Sequence, residues 1–152
     1  MMTLLERVKR DRDAGASIVF TNGCFDLLHS GPLTLLQIAA AQGDRLIVAV
    51  NDDASVRRIK GPDRPLTPWA ERAELLAGLA AVDWVVGFSE ATPQALIDEI
   101  QPDILVKGGD WSVDQIVGAK RVQARGGRVV RVPLRSGCST TALLQKIRDT
   151  EP

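Results

Sequence analysis

The sequence predicts a doubly wound α/β fold, in which a five-stranded parallel sheet carries helices on both faces. Short runs rich in Val and Ile alternate with longer segments of helical periodicity. Each run is almost continuously apolar, which is typical of parallel strands that are buried on both sides. Helical segments between such strands act as crossovers that keep the strands parallel. We therefore expect one Rossmann-like domain over residues 1–152, with an N-terminal surface helix at 1–15 and a core at 16–148.

The elements follow one another regularly along the chain. The first helix has apolar Leu4, Leu5 and Val8 among charged residues, and it is expected to end before Gly15. Strands are predicted at 17–21, 45–50, 83–88, 103–106 and 128–132. Helices are predicted between them at 33–42, 53–59, 69–80, 93–100 and about 113–125. Prolines near helix starts and glycines near helix ends support these boundaries.

Composition and charge exclude several classes of protein. The 152 residues are 45% hydrophobic and 25% charged, as expected of a globular protein, and 19 basic residues balance 19 acidic ones. A chain without net charge gives no electrostatic reason to bind nucleic acid or an anionic membrane. Two cysteines, Cys24 and Cys138, are too few for a zinc site, and no protein-held metal is predicted. The chain has no apolar signal-peptide core and no run long enough to span a membrane, so we expect a cytoplasmic protein.

Polar and glycine residues follow four of the predicted strands. After the first strand, residues 21–32 form a glycine-bearing turn that contains the only histidine, His29, and leads into a helix. Residues 51–53, 107–111 and 135–141 follow the second, fourth and fifth strands. Each set alone has a local explanation, such as a helix cap or a turn. Because ligands bind at the carboxyl ends of parallel strands, the four sets together predict one site that holds phosphate at a helix N-terminus.

Two motifs in these sets resemble a known family. Residues 23–31 (GCFDLLHSG) resemble the G-x-F-D-x-x-H-x-G-H signature of the cytidylyltransferase-like nucleotidyltransferase superfamily, and residues 138–141 (CSTT) are similar to its I-S-T-T-like motif, which opens a late helix. Within the superfamily, segments across 17–148 are most similar to the adenylyltransferase domains of ADP-heptose synthases. No sugar-kinase segment accompanies them here, so a stand-alone version is expected.

The resemblance implies nucleotidyl transfer from ATP to a sugar 1-phosphate. Heptose 1-phosphate is the expected acceptor, and the products are ADP-heptose, a precursor of the lipopolysaccharide core, and pyrophosphate. Two alternatives stay open: a cytidylyltransferase acting on glycerol 3-phosphate or a related phosphate, and a catalytically weak relative that binds nucleotide. A dinucleotide-binding oxidoreductase is disfavoured, because no G-x-G-x-x-G follows the first strand.

The same resemblance implies roles for individual residues. His29 and Lys60 are the expected catalytic residues, one as a donor to phosphate and the other as a mobile cation that closes on the triphosphate. The expected nucleotide-binding residues are Asn22, Gly23, Cys24, Phe25, Gly31, Gly109, Asp110, Ser139, Thr140 and Thr141. The expected substrate-binding residues are Asn51, Asp52, Arg72, Lys107 and Trp111. Mg²⁺ is expected to arrive with the triphosphate, and relatives suggest a homodimer.

Three residues carry alternatives or a departure from the family pattern. Asp26 either contacts a ligand or makes a structural hydrogen bond within its turn, and Trp111 either lies beside base or sugar or packs in the core. Pro32 occupies the position at which the family has a second histidine. Proline suits the first turn of a helix, so the fold is not affected, but one donor to the phosphate is missing. Another cation, such as Lys60 or Arg64, is a candidate to replace it.

Overall fold

The computed structural model describes residues 1–134 and 139–150. Five parallel strands form one sheet in the order β3-β2-β1-β4-β5. The strands are β1 Ile18–Gly23, β2 Arg45–Asn51, β3 Trp84–Phe88, β4 Ile104–Gly108 and β5 Arg128–Val132. Strand β1 is central: β2 and β3 are added on one side of it, and β4 and β5 are then added on the other side. The doubly wound α/β fold is therefore confirmed.

Seven α-helices accompany the sheet within the described ranges. They are α1 Leu4–Asp13, α2 Ser30–Ala40, α3 Asp53–Lys60, α4 Trp69–Ala77, α5 Gln94–Ile100, α6 Ala119–Ala124 and α7 Thr140–Asp149. A short 3-10 helix, Val113–Gln115, precedes α6. None of the helices in these ranges is both long and apolar enough to cross a bilayer.

The sheet separates two apolar cores because neighbouring strand residues point to opposite faces. Ile18 and Phe20 of β1 belong to one core, which includes residues of α1, α5 and α6. Val19, between them, belongs to the other core, which includes residues of α2 and α4. Both cores contain residues of the central strands, so β1 and β2 are buried on both faces, as their continuous apolarity predicts.

The helix predicted at about 113–125 is wrong in its first half. The chain forms the 3-10 helix, then a turn, and only then α6. Gly118 adopts φ +82°, and a Cβ at this position would lie 2.8 Å from Ile97 Cδ1. A left-handed residue packed this closely interrupts any helix through it. The apolar periodicity of the segment instead places Ile116, Ala119 and Val122 in the core.

Helix α2 also differs from the prediction, because it begins at Ser30 and not at Leu33. Pro32 therefore lies in its first turn, where no backbone N–H is needed. The first intrahelical bond runs from Leu33 N–H to His29 O, at 3.3 Å. The earlier start places His29 at the N-cap of the helix, directly after the turn that follows β1.

Candidate active site

The loops at the carboxyl ends of all five strands border one cavity of about 560 Å³. This volume falls in the range of roughly 300–1,000 Å³ that is usual for small-molecule sites. The first turns of α2 and α7 also contribute to its wall. The predicted site residues that line it are Asn22, Gly23, Cys24, Phe25, His29, Gly31, Asn51, Lys60, Lys107, Trp111, Ser139, Thr140 and Thr141. The convergence predicted from the ends of the strands is thus present in the structure.

His29 both caps α2 and faces the cavity. Its Nδ1 accepts a hydrogen bond from Gly31 N–H at 3.2 Å. In a neutral imidazole whose Nδ1 accepts, the proton resides on Nε2. The ring therefore offers an Nε2–H donor at the positive end of a helix dipole, which is a favourable place for a phosphate oxygen. Pro32 lines the same cavity and has no donor to offer.

The second motif opens α7, whose first residues also line the cavity. Ser139 is its N-cap, and the Ser139 Oγ accepts from Ala142 N–H at 3.0 Å. Thr140 and Thr141 follow in the first turn, where backbone N–H groups have no intrahelical acceptor. Two helix N-termini therefore border the cavity. Residues 135–138, which include Cys138 of this motif, lie outside the described residues.

The turn after β1 depends on close packing of Phe25 against Gly23. Phe25 has φ +49°, a left-handed conformation that a residue with a bulky side chain seldom adopts. A Cβ on Gly23 would lie 3.0 Å from the Phe25 ring. Glycine therefore allows the aromatic ring to fold back over the strand end. The turn then continues towards His29 along the cavity wall.

Cys24 and Asn51 meet at the ends of β1 and β2. Cys24 Sγ lies 3.8 Å from Asn51 Oδ1, and the Asn51 amide donates to Ser55 Oγ at 2.9 Å. Burial raises the pKa of the Cys24 thiol, and this effect outweighs the nearby cations Lys60 and Arg72. The thiol is therefore protonated at neutral pH and serves as a weak donor.

Among the charged side chains that line the cavity, cations outnumber carboxylates. Lys60 is the last residue of α3, just before a loop, and it is exposed. Lys107 extends from β4, with its Nζ 6.0 Å from the centre of the Trp111 ring, a distance at which a cation–π attraction operates. Trp111 is 45% exposed, so the alternative of core packing is excluded for it. A cavity with this charge favours polyphosphate ligands.

Lys107 is expected to make anion binding by the cavity sensitive to alkaline pH. Burial lowers the pKa of its ammonium group; negative charge on Cys24, when the thiol ionises, opposes this effect, and Lys60 adds to it. Because the protonated form binds anions, we expect the affinity for inorganic pyrophosphate to begin falling below the ordinary lysine pKa of 10.5. Calorimetric titration with pyrophosphate from neutral to alkaline pH measures this, and Lys107→Arg is expected to move the decline to higher pH.

Lys120 on α6 provides the matched control for this titration. It is exposed and does not line the cavity. Lys120→Arg should therefore leave the pH dependence as in the unmodified protein. If Lys107→Arg gave the same profile as Lys120→Arg, Lys107 would not be the group that titrates.

Arg72 corrects the prediction that it binds substrate. Its side chain is only 1% exposed, and its guanidinium donates to protein acceptors through Nε, Nη1 and Nη2. The acceptors are the carbonyl oxygens of Thr67, Cys24 and Asn51 and the carboxylate of Asp53. The guanidinium therefore joins the ends of β1 and β2 through hydrogen bonds to protein oxygens. It is not free to bind the substrate phosphate that the sequence predicted for it.

Asp52, Gly109 and Asp110 also lie away from the cavity wall. Asp52 is the N-cap of α3, and its carboxylate accepts from Ser55 N–H at 2.8 Å. Gly109 has φ +113°, and a Cβ there would lie 2.8 Å from Trp111 Nε1. Gly109 therefore turns the chain so that Trp111 folds back, and the indole donates to Gly108 O at 3.1 Å. Asp110 borders a separate shallow depression beside Trp111.

Asp26 has a structural role, but not within its own turn. It is 4% exposed and accepts from Leu66 N–H, Thr67 N–H and Arg64 Nε at 2.8, 2.9 and 2.5 Å. Burial alone would raise the pKa of this carboxyl, but the two backbone N–H groups and the Arg64 guanidinium outweigh it and lower the pKa below the usual value. Asp26 therefore joins the turn after β1 to the loop between α3 and α4.

Sequence reasoning missed the segment that follows β3. Phe88, Ala91, Thr92 and Pro93 line the cavity. The same rule about strand ends that located the other loops would have found this segment, which also carries polar residues such as Ser89, Glu90 and Thr92. Other lining residues that were missed are Ile59, Val117 and Leu134. These side chains make part of the wall apolar, as is usual in ligand sites.

The residues present fit Mg²⁺ only as a companion of a polyphosphate. Across residues 1–134 and 139–150, no group of three or more His, Cys, Asp or Glu is placed to hold a metal ion. Asp26 is the carboxylate that the cavity wall offers, and its hydrogen bonds to Arg64, Leu66 and Thr67 already occupy it. Mg²⁺ readily keeps water and phosphate oxygens as its main ligands.

Together, the fold and the cavity place two helix N-termini at the carboxyl edge of a parallel sheet, an arrangement that α/β proteins use to bind phosphates. Residues 20–146 match the family model described as cytidylyltransferase-like, and the chain belongs to that family.

Known proteins similar to the chain include two curated relatives and one solved structure. It is 58% identical over 148 residues to the bifunctional protein HldE of Pseudomonas fluorescens strain SBW25, an alignment that covers 97% of this chain and 31% of the relative. The HldE protein of Azotobacter vinelandii strain DJ is 56% identical over 145 residues, covering 95% and 31%. The chain thus spans about a third of the length of these relatives. A solved lipopolysaccharide core biosynthesis protein from Thermoplasma volcanium GSS1 superposes with a TM-score of 0.64 at 27% identity, covering 80% of this chain and 98% of that one.

Proposed function

We propose that the protein transfers an adenylyl group from ATP to a sugar 1-phosphate, with heptose 1-phosphate as the acceptor. The observation that carries this proposal is the single cavity bordered by His29, Lys60, Lys107 and the first turns of α2 and α7. Family membership and the similarity to a lipopolysaccharide core biosynthesis protein support the choice of acceptor. The products are ADP-heptose and pyrophosphate.

The proposed chemistry is an in-line displacement at the α-phosphorus. An oxygen of the acceptor phosphate forms a bond to the α-phosphorus, the bond from that phosphorus to the bridging oxygen breaks, and its electron pair leaves with pyrophosphate. His29 Nε2–H donates to a phosphate oxygen, and Lys60 closes from the end of α3 on the triphosphate. Ser139, Thr140 and Thr141 hold the β- and γ-phosphates. Catalysis of this kind depends on positioning and on stabilising charge.

Lys107 and Trp111 form the proposed acceptor end. The ammonium group and the half-exposed indole lie side by side at the end of β4, so one neutralises the acceptor phosphate while the other covers the sugar. Asn51, at the end of β2, also lines the cavity, and its amide is oriented by the hydrogen bond that it donates to Ser55 Oγ. Mg²⁺ bound to the triphosphate would neutralise charge on the leaving pyrophosphate.

A screen for pyrophosphate release tests this function. ATP, CTP, GTP and UTP are each combined with Mg²⁺ and with heptose 1-phosphate or glycerol 3-phosphate. We expect release with ATP and heptose 1-phosphate above every other pair. Preference for CTP with glycerol 3-phosphate would replace the proposal with the cytidylyltransferase alternative.

A second candidate function is that of a relative that binds nucleotide but catalyses little. Pro32 is the observation that favours it. It lines the cavity at the position where the family pattern has a donor. This candidate predicts that ATP binds, as measured by calorimetry, while no pair in the screen releases pyrophosphate above background.

Cytoplasmic location, a homodimer and organisation as a single domain also stay predictions, and sedimentation of the purified chain tests the homodimer.

A further inference from the structure

Arg64 is a largely buried cation that the proposed mechanism does not yet use. It lies in the loop between α3 and α4, its side chain is 16% exposed, and it borders the cavity. Its Nε donates to Asp26 Oδ2 at 2.5 Å. The Asp26 side chain is 2% exposed and also accepts from the backbone N–H groups of Leu66 and Thr67. The hydrogen bond at Nε therefore fixes the orientation of the Arg64 guanidinium.

The Nη1 and Nη2 ends of the same guanidinium have no partner within the described part of the chain. Among the hydrogen bonds of the described residues, neither Nη1 nor Nη2 of Arg64 donates to a protein acceptor. Arg72, in the first turn of α4, makes the contrast clear, because its Nε, Nη1 and Nη2 are all bonded to protein oxygens. A guanidinium has five N–H donors, and those on Nη1 and Nη2 of Arg64 are accessible from the cavity and not sealed in the core. The free donors of Arg64 belong to a side chain of the cavity wall, so an anionic ligand would satisfy them.

The surroundings indicate which anion this is. Lys60 precedes the loop that carries Arg64, and His29 and Pro32, at the start of α2, line the same cavity. Asp26 is neutralised by Arg64 itself, so a bound anion meets no opposing free carboxylate from that side chain. A planar fork of N–H donors matches two phosphate oxygens at once, which a lysine does not.

We propose that Arg64, oriented by Asp26, binds the phosphate chain of the nucleotide and supplies the donor that is missing at Pro32. This inference rests on the proposed function, since it takes the nucleoside triphosphate as the ligand of the cavity. Arg64 contacts phosphate directly, and Asp26 is a positioning residue that acts through it. Arg64 then contributes to pyrophosphate binding even when no acceptor is present.

Calorimetric titration with inorganic pyrophosphate and Mg²⁺ tests the contact without requiring turnover. Arg64→Ala is expected to weaken binding by roughly 10- to 100-fold, because a hydrogen bond to a charged partner contributes roughly 1.5–3 kcal/mol. Arg64→Lys keeps the charge but not the fork, and we expect an intermediate loss. Arg57→Ala is the matched control, since Arg57 is an exposed arginine of α3 that does not line the cavity, and it should bind as the unmodified protein does.

Chemical rescue separates a phosphate contact from a purely structural role. Guanidinium chloride at low, non-denaturing concentration is expected to restore pyrophosphate affinity to Arg64→Ala, whereas urea, which is neutral and similar in shape, is not. A structural anchor of the loop would lower the unfolding temperature and leave no dependence on guanidinium. If Arg64→Ala binds pyrophosphate like Arg57→Ala, or if guanidinium and urea act alike, the proposal is overturned. If Arg64→Ala does not fold, the loss in Arg64→Lys relative to Arg57→Ala decides.

The outcomes also distinguish this inference from the proposed function. Pyrophosphate binding that depends on Arg64, with no turnover in the nucleotide screen, supports the inference and removes the transferase. The opposite result is turnover in the screen with Arg64→Ala unchanged in pyrophosphate affinity and in KM for ATP. It supports the proposed transferase activity and rules out the proposed role of Arg64.

Discussion

His29→Ala is expected to slow pyrophosphate release from ATP and heptose 1-phosphate by about 100- to 1000-fold, the usual cost of removing one donor to a transition-state oxyanion. The Nδ1 atom is held by Gly31 N–H at 3.2 Å, so Nε2–H is preset towards the cavity. A coupled assay for pyrophosphate at saturating ATP measures the change. Because the hydrogen bond from His29 strengthens as charge develops in the transition state, the loss should fall in kcat.

His29→Asn separates catalysis from helix capping. Asparagine is among the best N-cap residues, so this variant keeps the start of α2 while losing the imidazole. We expect His29→Asn to be as inactive as His29→Ala but closer to the unmodified protein in unfolding temperature. An active His29→Asn would mean that the imidazole serves the helix and not the reaction.

Arg72→Met is expected to lower the free energy of unfolding by about 3–5 kcal/mol, because each buried carbonyl oxygen that loses its donor costs about 1–3 kcal/mol. The substitution leaves the carbonyl oxygens of Cys24 and Asn51 without their donor, and it leaves Asp53 without its ion pair. Both carbonyls lie at strand ends that border the cavity. Urea-induced unfolding followed by far-UV circular dichroism measures the loss.

Arg57→Ala again serves as the control, since a surface substitution of this kind changes stability by about 0.5 kcal/mol or less. Arg72→Lys should fall between the two, because one ammonium group cannot reach all the acceptors that the guanidinium joins. Equal stability of Arg72→Met and Arg57→Ala would contradict the structural role of Arg72.

The sheet and its cavity could be predicted because their signals are local or follow from topology. Continuous apolar runs mark β1 and β2, and the rule about strand ends then brings the loops after them together. Helix α6 was misjudged because apolar periodicity alone does not show that Gly118 must fit against Ile97. The contact that excludes a helix at that point joins α5 to a later segment of the chain.

The roles of Arg72 and Arg64 could not be separated from the sequence. Both follow Lys60 in chain segments that pass the same site, and both are cations suited to phosphate. What distinguishes them is the number of protein oxygens that each meets in three dimensions, which depends on how the loop at Thr67 folds onto Asp26 and Cys24. Spacing along the chain carries no information about that count.

The position of Trp111 gives the protein a built-in optical probe. Of its three tryptophans, Trp69 and Trp84 lie together at the opposite edge of the sheet, whereas Trp111 borders the cavity. An indole that is 45% exposed emits differently once a ligand displaces water from its face. Intrinsic fluorescence therefore reports occupancy of the acceptor end in real time, with no label attached, and Trp111→Phe identifies the source of the signal.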